Sequence, residues 1–153
     1  MKKQKMLAIE QLDRKFEAIR IIEKIIPPEQ GWINSVRTAI GMSLKQMGIK
    51  LGISIPSAKG LERRERNGSI TINSLKKAAD KLEMKLVYGF VPKGESLEKM
   101  IEEKAYEAAK KIVMRTAVNM QLEDQGNSQA RLEREIKNKA EEIKKELPKF
   151  LWD

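Results

Sequence analysis

The fold is decided by the segment SLKQMGIKLGISIPSAKGLE, which runs from Ser43 to Glu62. Ser43 and Ser54 each stand before a short run of helix-compatible residues, and serine is a favoured N-cap. Gly52 separates the two runs, at a position where a left-handed residue ends a helix. Pro56 falls in the first turn of the second run, where its missing N–H costs no hydrogen bond. This spacing predicts two short helices joined by a tight turn, a helix-turn-helix.

Small and apolar residues occupy the positions at which these two helices would cross. Gly48 lies four residues before Gly52, where a larger side chain would push the helices apart. The predicted contacts between the helices are made by Met47, Leu51, Ile53, Ala58 and Leu61. The residues left outside that set should face outward on the second helix, and they are Ile55, Pro56, Ser57, Lys59, Gly60, Arg63 and Arg64.

Further helices are predicted on both sides of the motif. Residues 33–40 predict a helix before it, and residues 72–82 predict another after the turn at Asn67-Gly68. Either Ser69 or Thr71 is placed to cap this later helix. Together these elements predict a compact helical domain.

A short strand is predicted at residues 84–91, MKLVYGFV, which are largely apolar and include β-branched and aromatic residues before Pro92. A single strand leaves the N–H and C=O groups of its edges unpaired. The same strand of a second copy would satisfy them and make a homodimer. Pairing within the chain is the alternative.

Long amphipathic helices are predicted on both sides of this domain. In residues 5–26, apolar side chains recur at three- and four-residue steps until Pro27-Pro28 ends the helix. A helix over residues 96–122 should turn one face inward, formed by Leu97, Ile101, Ala105, Ala108, Ile112, Thr116 and Met120. After a break at residues 125–127, Ser128 should cap a last helix that ends at Pro148 and carries Leu132, Ile136, Ala140, Ile143 and Leu147.

The predicted fold class is therefore mainly α, in three segments. Residues 1–30 form an N-terminal amphipathic helix, residues 31–92 the helix-turn-helix domain with its strand, and residues 93–153 a C-terminal arm of two helices. Basic charge is concentrated in the middle, because residues 31–94 hold twelve Lys and Arg against four Asp and Glu. Such a local surplus indicates a polyanionic partner, with a solvated basic face as the alternative.

The composition argues against an enzyme. The 153 residues contain neither histidine nor cysteine, which removes the commonest general base and all thiolate chemistry. Histidine is also the commonest transition-metal ligand, and no glycine-rich phosphate loop is present, so neither a metal site nor a cofactor is expected. No apolar stretch approaches about 18 residues, and the lysine-rich N-terminus lacks an apolar core region. We therefore expect a cytoplasmic protein with no membrane partner.

The motif and the local charge predict contacts to double-stranded DNA. In helix-turn-helix proteins the second helix enters the major groove, while the first crosses the backbone. Candidate phosphate contacts are Ser43, Lys45, Gln46, Arg63, Arg64 and Arg66. Ser57 and Lys59 suit base edges, and Ile55 or Pro56 suits a thymine methyl group. The complete set of candidates at the start of the second helix is Ser54, Ile55, Pro56, Ser57, Lys59 and Gly60.

Two acidic residues on the second helix call for another role. Glu62 and Glu65 would repel phosphate if they faced DNA. Glu62 is better placed as an internal ion-pair partner that holds an arginine such as Arg37 or Arg66. Acid-base catalysis or metal binding by the two carboxylates is not favoured, because no other ligands converge with them.

The chain also resembles a known family over nearly its whole length. The likeness lies in GMS (41–43), LGIS (51–54), Glu62, Glu65, GSIT (68–71), LKKAADKL (75–82), LVYGFVP (86–92), MQLEDQ (120–125) and the closing LW (151–152). These motifs are similar to those of mobile mystery protein A, a family of regulators with a five-helix, phage-repressor (XRE) type of domain. The resemblance implies an antitoxin that is encoded beside mobile mystery protein B, which carries a Fic domain, and that represses their shared operon.

Two hypotheses follow for the function. The first is a homodimeric, sequence-specific DNA-binding repressor that binds an inverted repeat and neutralises a Fic-type toxin. The alternative is a protein-interaction module that neutralises a partner enzyme without itself binding DNA. The chain departs from the family pattern at Gly48, which is usually alanine, and at Pro56. It also lacks the motif Ser/Thr-x-x-x-Glu-Gly/Asn of many Fic antitoxins, so inhibition would use another surface.

Overall fold

The computed structural model describes residues 2–121 and 129–153, and its regular elements are helices. In chain order they are α1 (Lys2–Ile19), a 3-10 helix (Arg20–Lys24), α2 (Trp32–Ala39), α3 (Leu44–Leu51), α4 (Ile55–Asn67), α5 (Ile72–Lys81), α6 (Leu97–Gln121), α7 (Gln129–Glu146) and a second 3-10 helix (Lys149–Trp152). The prediction of a mainly α fold is confirmed. Within the described ranges, no helix is long and apolar enough to cross a membrane.

The chain forms two compact units, and one of them is discontinuous in sequence. The terminal unit comprises Met1–Ile21 and Phe90–Asp153, and the central unit comprises Ile22–Gly89. The N-terminal helix therefore belongs with the C-terminal arm instead of standing as a segment of its own.

A small apolar core holds α2, α3, α4 and α5 together in the central unit. Its buried members are Ile33, Met47, Leu61, Ala78 and Leu82. Met47 and Ala58, two of the predicted contacts between α3 and α4, have no exposed surface. Leu51 packs against the core, whereas Ile53 remains 37% exposed. The predicted contacts are thus confirmed with the exception of Ile53.

Polar caps fix the starts of these helices. Ser43, Ser54 and Thr71 each accept a hydrogen bond from a backbone N–H three residues later. Gly52 ends α3 in the left-handed conformation, with φ 68°. The boundaries that these residues predict are confirmed, and Thr71 rather than Ser69 is the cap of α5.

The turn between α3 and α4 lies directly against Gly48. A β-carbon at this buried position would stand 2.8 Å from the carbonyl oxygen of Ile53, which is a backbone atom. The N–H of Ile53 in turn donates to the carbonyl oxygen of Gly48 at 2.9 Å. The glycine therefore lets the turn sit closer to α3 than any larger residue would allow.

The strand predicted at residues 84–91 is absent, and that prediction is wrong for the single chain. These described residues have no regular secondary structure. Met84 N–H donates to the last turn of α5 at 2.8 Å, and the backbone then leaves the helix. A strand requires a neighbour to pair with, and the described part of the chain supplies none.

In the terminal unit, α6 and α7 pack through a stripe of small residues. On α6 the buried side chains follow at a constant step of four, as Ile101, Ala105, Ala109, Val113 and Ala117. From α7, Ile136 and Ile143 are buried, and Leu151 of the last 3-10 helix joins the same core. The predicted inner face of α7 is confirmed, because the core also receives Leu132, Ala140 and Leu147.

The predicted inner face of α6 holds only in its first half. Ile101 and Ala105 are buried as expected, but Ile112 is 38% exposed and Thr116 is also exposed. Alanines let α7 approach closely, so the buried line follows the small residues instead of turning toward Ile112. The side chain of Met120 and the predicted break and cap at residues 125–128 lie outside the described residues.

Two residues near the N-terminus form hydrogen bonds with the backbone at the start of α6. The Asp13 carboxylate accepts hydrogen bonds from the N–H groups of Leu97 and Glu98, at 2.7 and 3.1 Å. The Arg20 guanidinium donates to two carbonyl oxygens just before the helix. A carboxylate satisfies free amides at a helix N-terminus and complements the helix dipole. Asp13 is therefore a cap that is distant in sequence.

Two buried glycines test the close contact at the turn. Gly48→Ala should destabilise the central unit by about 1–3 kcal/mol, because the new methyl group collides with backbone atoms. Gly60→Ala is the matched control, since its β-carbon would meet only the flexible ends of two arginines, at 3.3 and 3.8 Å. Alanine there favours the helix by up to about 1 kcal/mol. Urea unfolding, followed by the fluorescence of Trp32 in a Trp152→Phe background, measures the free energy of unfolding of both variants. Equal losses of stability would contradict the close contact between Gly48 and the turn.

Candidate nucleic-acid interface

The helix α4 has two chemically distinct faces. Ala58, Leu61, Glu62 and Glu65 recur at three- and four-residue steps, so they share the face that packs inward. The remaining charged residues of α4 are all cations and all exposed, namely Lys59, Arg63, Arg64 and Arg66. The outer surface of this helix therefore carries charge of one sign.

A buried ion pair keeps Glu62 on the inner face. Arg37 of α2 donates from Nε to Glu62 Oε1 at 2.5 Å and from Nη2 to Oε2 at 3.3 Å. Asn34 Nδ2 donates to Glu62 Oε2 at 2.8 Å. Arg37 Nη1 also donates to the carbonyl oxygen of Met42 at 2.8 Å. One carboxylate thus joins α4 to α2, and the prediction that Glu62 holds Arg37 is confirmed.

The surroundings of Glu62 keep it ionised. Burial would by itself raise the pKa of this carboxyl group, because the charged form loses contact with water. Hydrogen bonds from Arg37 and Asn34, together with the positive charges of Arg37 and Arg66, outweigh that effect and hold the pKa below its ordinary value. The ion pair is therefore fully formed at neutral pH.

Glu65 caps α2, a role that sequence reasoning missed. Its carboxylate oxygens accept hydrogen bonds from the N–H groups of Trp32 and Ile33, both at 2.8 Å. Gly31 makes room for the carboxylate, since a β-carbon there would lie 2.9 Å from Glu65 Cδ. The available signals were a glycine before a helix and a second acid three residues after Glu62. Both acidic residues of α4 thus accept hydrogen bonds from α2 within the central unit.

With the exception of Gly60, every residue predicted to contact DNA is exposed. Gly60 is buried, because the guanidinium groups of two arginines lie over it. A β-carbon at this glycine would be 3.3 Å from Arg64 Nη1 and 3.8 Å from Arg63 Nη2. The expectation that Gly60 itself presents an open outward surface is therefore wrong.

The start of α3 is closed by a capping box. Gln46 N–H donates to Ser43 Oγ at 3.1 Å, and Ser43 N–H donates to Gln46 Oε1 at 2.8 Å. Ser43, Gln46 and the neighbouring Lys45 are all exposed. The donors that remain for an external anion are the Ser43 hydroxyl, the Gln46 amide nitrogen and the Lys45 ammonium group.

The first turn of α4 combines linked hydroxyl groups with apolar surface. Ser57 N–H donates to Ser54 Oγ at 3.2 Å, and the Ser54 hydroxyl donates to Ser57 Oγ at 2.9 Å. Ile55 is 47% exposed, and Pro56 beside it is exposed as well. Ser54 thus acts as a cap, while Ile55 and Pro56 offer a small apolar patch close in sequence to Lys59.

Comparisons with known proteins assign no family to the chain. No family model matches it, and neither does any curated protein or solved structure. The resemblance to mobile mystery protein A therefore stays a prediction.

The buried pair can be tested by neutralising one partner. Glu62→Gln should destabilise the central unit by about 3–5 kcal/mol, because Arg37 is left buried without a counter-charge. The exposed Asp80→Asn on α5 is the control and should change stability by less than about 0.5 kcal/mol. Urea unfolding at neutral pH, followed by Trp32 fluorescence in the Trp152→Phe background, measures both. A loss at Glu62→Gln no larger than that of the control would contradict the role of the pair.

The same pair predicts a loss of stability in acid. Because folding lowers the pKa of Glu62 from 4.5, its contribution is complete above that pH and disappears as the pH falls through the folded value. Unfolding curves from neutral pH down to about pH 3 should therefore fall more steeply for the parent chain than for Glu62→Gln. Identical pH profiles would show that other carboxyl groups cause the acid sensitivity.

Proposed function

We propose that the central unit is an XRE-type helix-turn-helix domain, and that the protein is a sequence-specific DNA-binding transcriptional repressor. The observation that carries this proposal is the separation of charge on α4. Both carboxylates bond to α2, and only cations remain on the exposed surface. A helix that enters a groove lined by phosphates needs such a surface, since an outward carboxylate would be repelled.

The first turn of α4 would read the bases in the major groove, with α3 crossing the DNA backbone. Ser57 and Lys59 would hydrogen-bond to base edges, and Ile55 or Pro56 would contact a thymine methyl group. The exposure of these four side chains supports that assignment. Ser54 would contribute as the cap that holds the turn in place.

Phosphate contacts would come from both helices. At the start of α3, the donors of Ser43, Lys45 and Gln46 surround a helix N-terminus, which favours an anion. Along α4, Arg63 and Arg64 would move from their positions over Gly60 to grip the backbone. A homodimer would present two such surfaces to an inverted repeat, with half-sites about one helical turn apart.

We further propose, from the resemblance to mobile mystery protein A, that the protein is the antitoxin of a Fic-type toxin encoded beside it. The helix α1 offers a surface for such a partner, because Met6, Leu7 and Leu12 are 49%, 54% and 42% exposed. Contiguous patches of exposed apolar side chains are a common feature of protein interaction sites.

DNA binding depends on two cations of α4 in this proposal. Lys59→Ala and Arg63→Ala should each weaken binding to the promoter DNA of the protein's own gene by about tenfold. Lys137→Ala removes the same charge from an exposed position of α7 and should leave binding unchanged. Fluorescence anisotropy with labelled promoter DNA measures the affinity of each variant, and circular dichroism shows that each variant is folded. Parent-like affinity in both α4 variants would exclude this helix as the reading helix.

If the protein contacts DNA phosphates, its affinity for DNA should depend steeply on salt concentration. The logarithm of the binding constant should fall linearly with the logarithm of salt concentration, by about 0.9 for each phosphate neutralised. Arg63→Ala should reduce that slope by about one phosphate equivalent, on promoter and unrelated DNA alike. An affinity that is flat between low and physiological salt would rule out the proposed interface.

The antitoxin proposal predicts a stable complex with the product of an adjacent Fic gene. Co-expression should yield one co-purifying complex and should suppress AMP transfer by the Fic protein, as measured with labelled ATP. A triple change of Met6, Leu7 and Leu12 to serine should weaken the complex while promoter binding persists. A complex that forms although the protein never shifts promoter DNA would favour the interaction module over the repressor.

A further inference from the structure

The segment that follows α5 carries unused hydrogen-bonding groups. Within the described part of the chain, no backbone N–H or C=O from Lys85 to Val91 takes part in a hydrogen bond. Each of these residues has one strong donor and one strong acceptor on its main chain. The segment therefore has two free edges along its length.

Several side chains of the same segment are apolar and exposed, while Leu86 and Val91 are half-buried. Met84, Val87, Tyr88 and Phe90 are 53%, 66%, 62% and 81% exposed. β-branched and aromatic residues favour extended structure, and an apolar segment with free edges is a template for a further strand. The described residues contain no strand that could pair with it, which favours a partner strand from another molecule.

We propose that this partner is the same segment of a second copy, and that the two segments pair antiparallel around Tyr88 as a two-stranded ribbon. Alternate side chains of a strand share a face, so Leu86, Tyr88 and Phe90 lie together. The register places Leu86 of one copy opposite Phe90 of the other, and the two Tyr88 side chains opposite each other. Such aromatic and aliphatic pairs across strands stabilise a ribbon.

Charge complementarity favours antiparallel over parallel pairing of the two segments. Just beyond the ends of the segment, pairing around Tyr88 would bring Glu83, which lies in the turn after α5 with φ 59°, near Lys93 of the other copy, and the twofold symmetry repeats that approach at the opposite end. Parallel pairing would instead set Lys85 beside Lys85 and Lys93 beside Lys93. Like charges placed directly opposite one another are destabilising. The segment is thus complementary to itself in both charge and apolar pattern.

The ribbon deepens the proposed function, since it names the contact that would make the operator-binding dimer. Its existence requires only protein, so it is tested in the absence of DNA. A chain that dimerises through this segment but does not bind promoter DNA would overturn the repressor proposal alone. A chain that binds DNA and shows no such contact would overturn the ribbon alone.

A single cysteine tests the register, because the chain contains none of its own. In the ribbon the two Tyr88 α-carbons lie about 4.5–5.5 Å apart, within disulfide range. Full-length Tyr88→Cys should therefore form a covalent dimer on mild oxidation, seen by non-reducing electrophoresis. Leu86→Cys is the matched control, since its two copies are about 13 Å apart in this register. Equal cross-linking of the two variants, or none by Tyr88→Cys, overturns the proposal.

Charge reversal tests the same register without cross-linking. Glu83→Lys and Lys93→Glu should each raise the dimer dissociation constant about fivefold at low salt, because each change creates two like-charge contacts. The double variant restores opposite charges and should return the constant to that of the parent chain. Sedimentation equilibrium measures the dimer dissociation constant of the parent chain, the two single variants and the double variant. A double variant weaker than either single one, or a parent chain that stays monomeric at tens of micromolar, overturns the ribbon.

Discussion

The pairing of Arg37 with Glu62 is the constraint on which the central unit depends. The unit has little bulk in its core, where Met47 is the largest fully inaccessible side chain among the described residues. Small domains of this kind gain order from buried polar contacts only when each group is satisfied. Here Asn34 and the Met42 carbonyl complete the hydrogen bonds of the pair, and no buried side-chain nitrogen or oxygen atom in the described ranges lacks a hydrogen-bond partner. The pair therefore fixes how α2, α4 and the start of α3 meet.

The same contacts determine the sign of the charge on the exposed surface of α4. With Glu62 and Glu65 facing outward, α4 would display two carboxylates among four cations. Because both acids instead bond to α2, folding itself separates the charges. The stability of the unit and the electrostatic character of α4 thus have a common cause, and a change at the inner face would alter both.

Local features of the structure were predictable, and long-range ones were not. The caps Ser43, Ser54 and Thr71 act on amides three residues away, so their effect can be read from short stretches of sequence. The caps supplied by Glu65 and Asp13 reach over 32 and 84 residues, and no local pattern marks them. The strand prediction failed for a related reason, since a strand needs a neighbouring strand to pair with and the described part of the chain provides none. Among the candidate DNA contacts, exposure was foreseen except at Gly60, which arginine side chains cover.

The distant cap on α6 has a consequence for synthesis on the ribosome. The helix α1 leaves the ribosome early, yet Leu97, the amide that Asp13 binds, follows 84 residues later. Closing so long a loop delays folding, whereas the contacts of the central unit lie within Ile22–Gly89. During synthesis, the contacts of the central unit can therefore form before Leu97, the partner of Asp13, has been added to the chain. A nascent chain could accordingly acquire its cationic α4 surface before α1 and α6 come together.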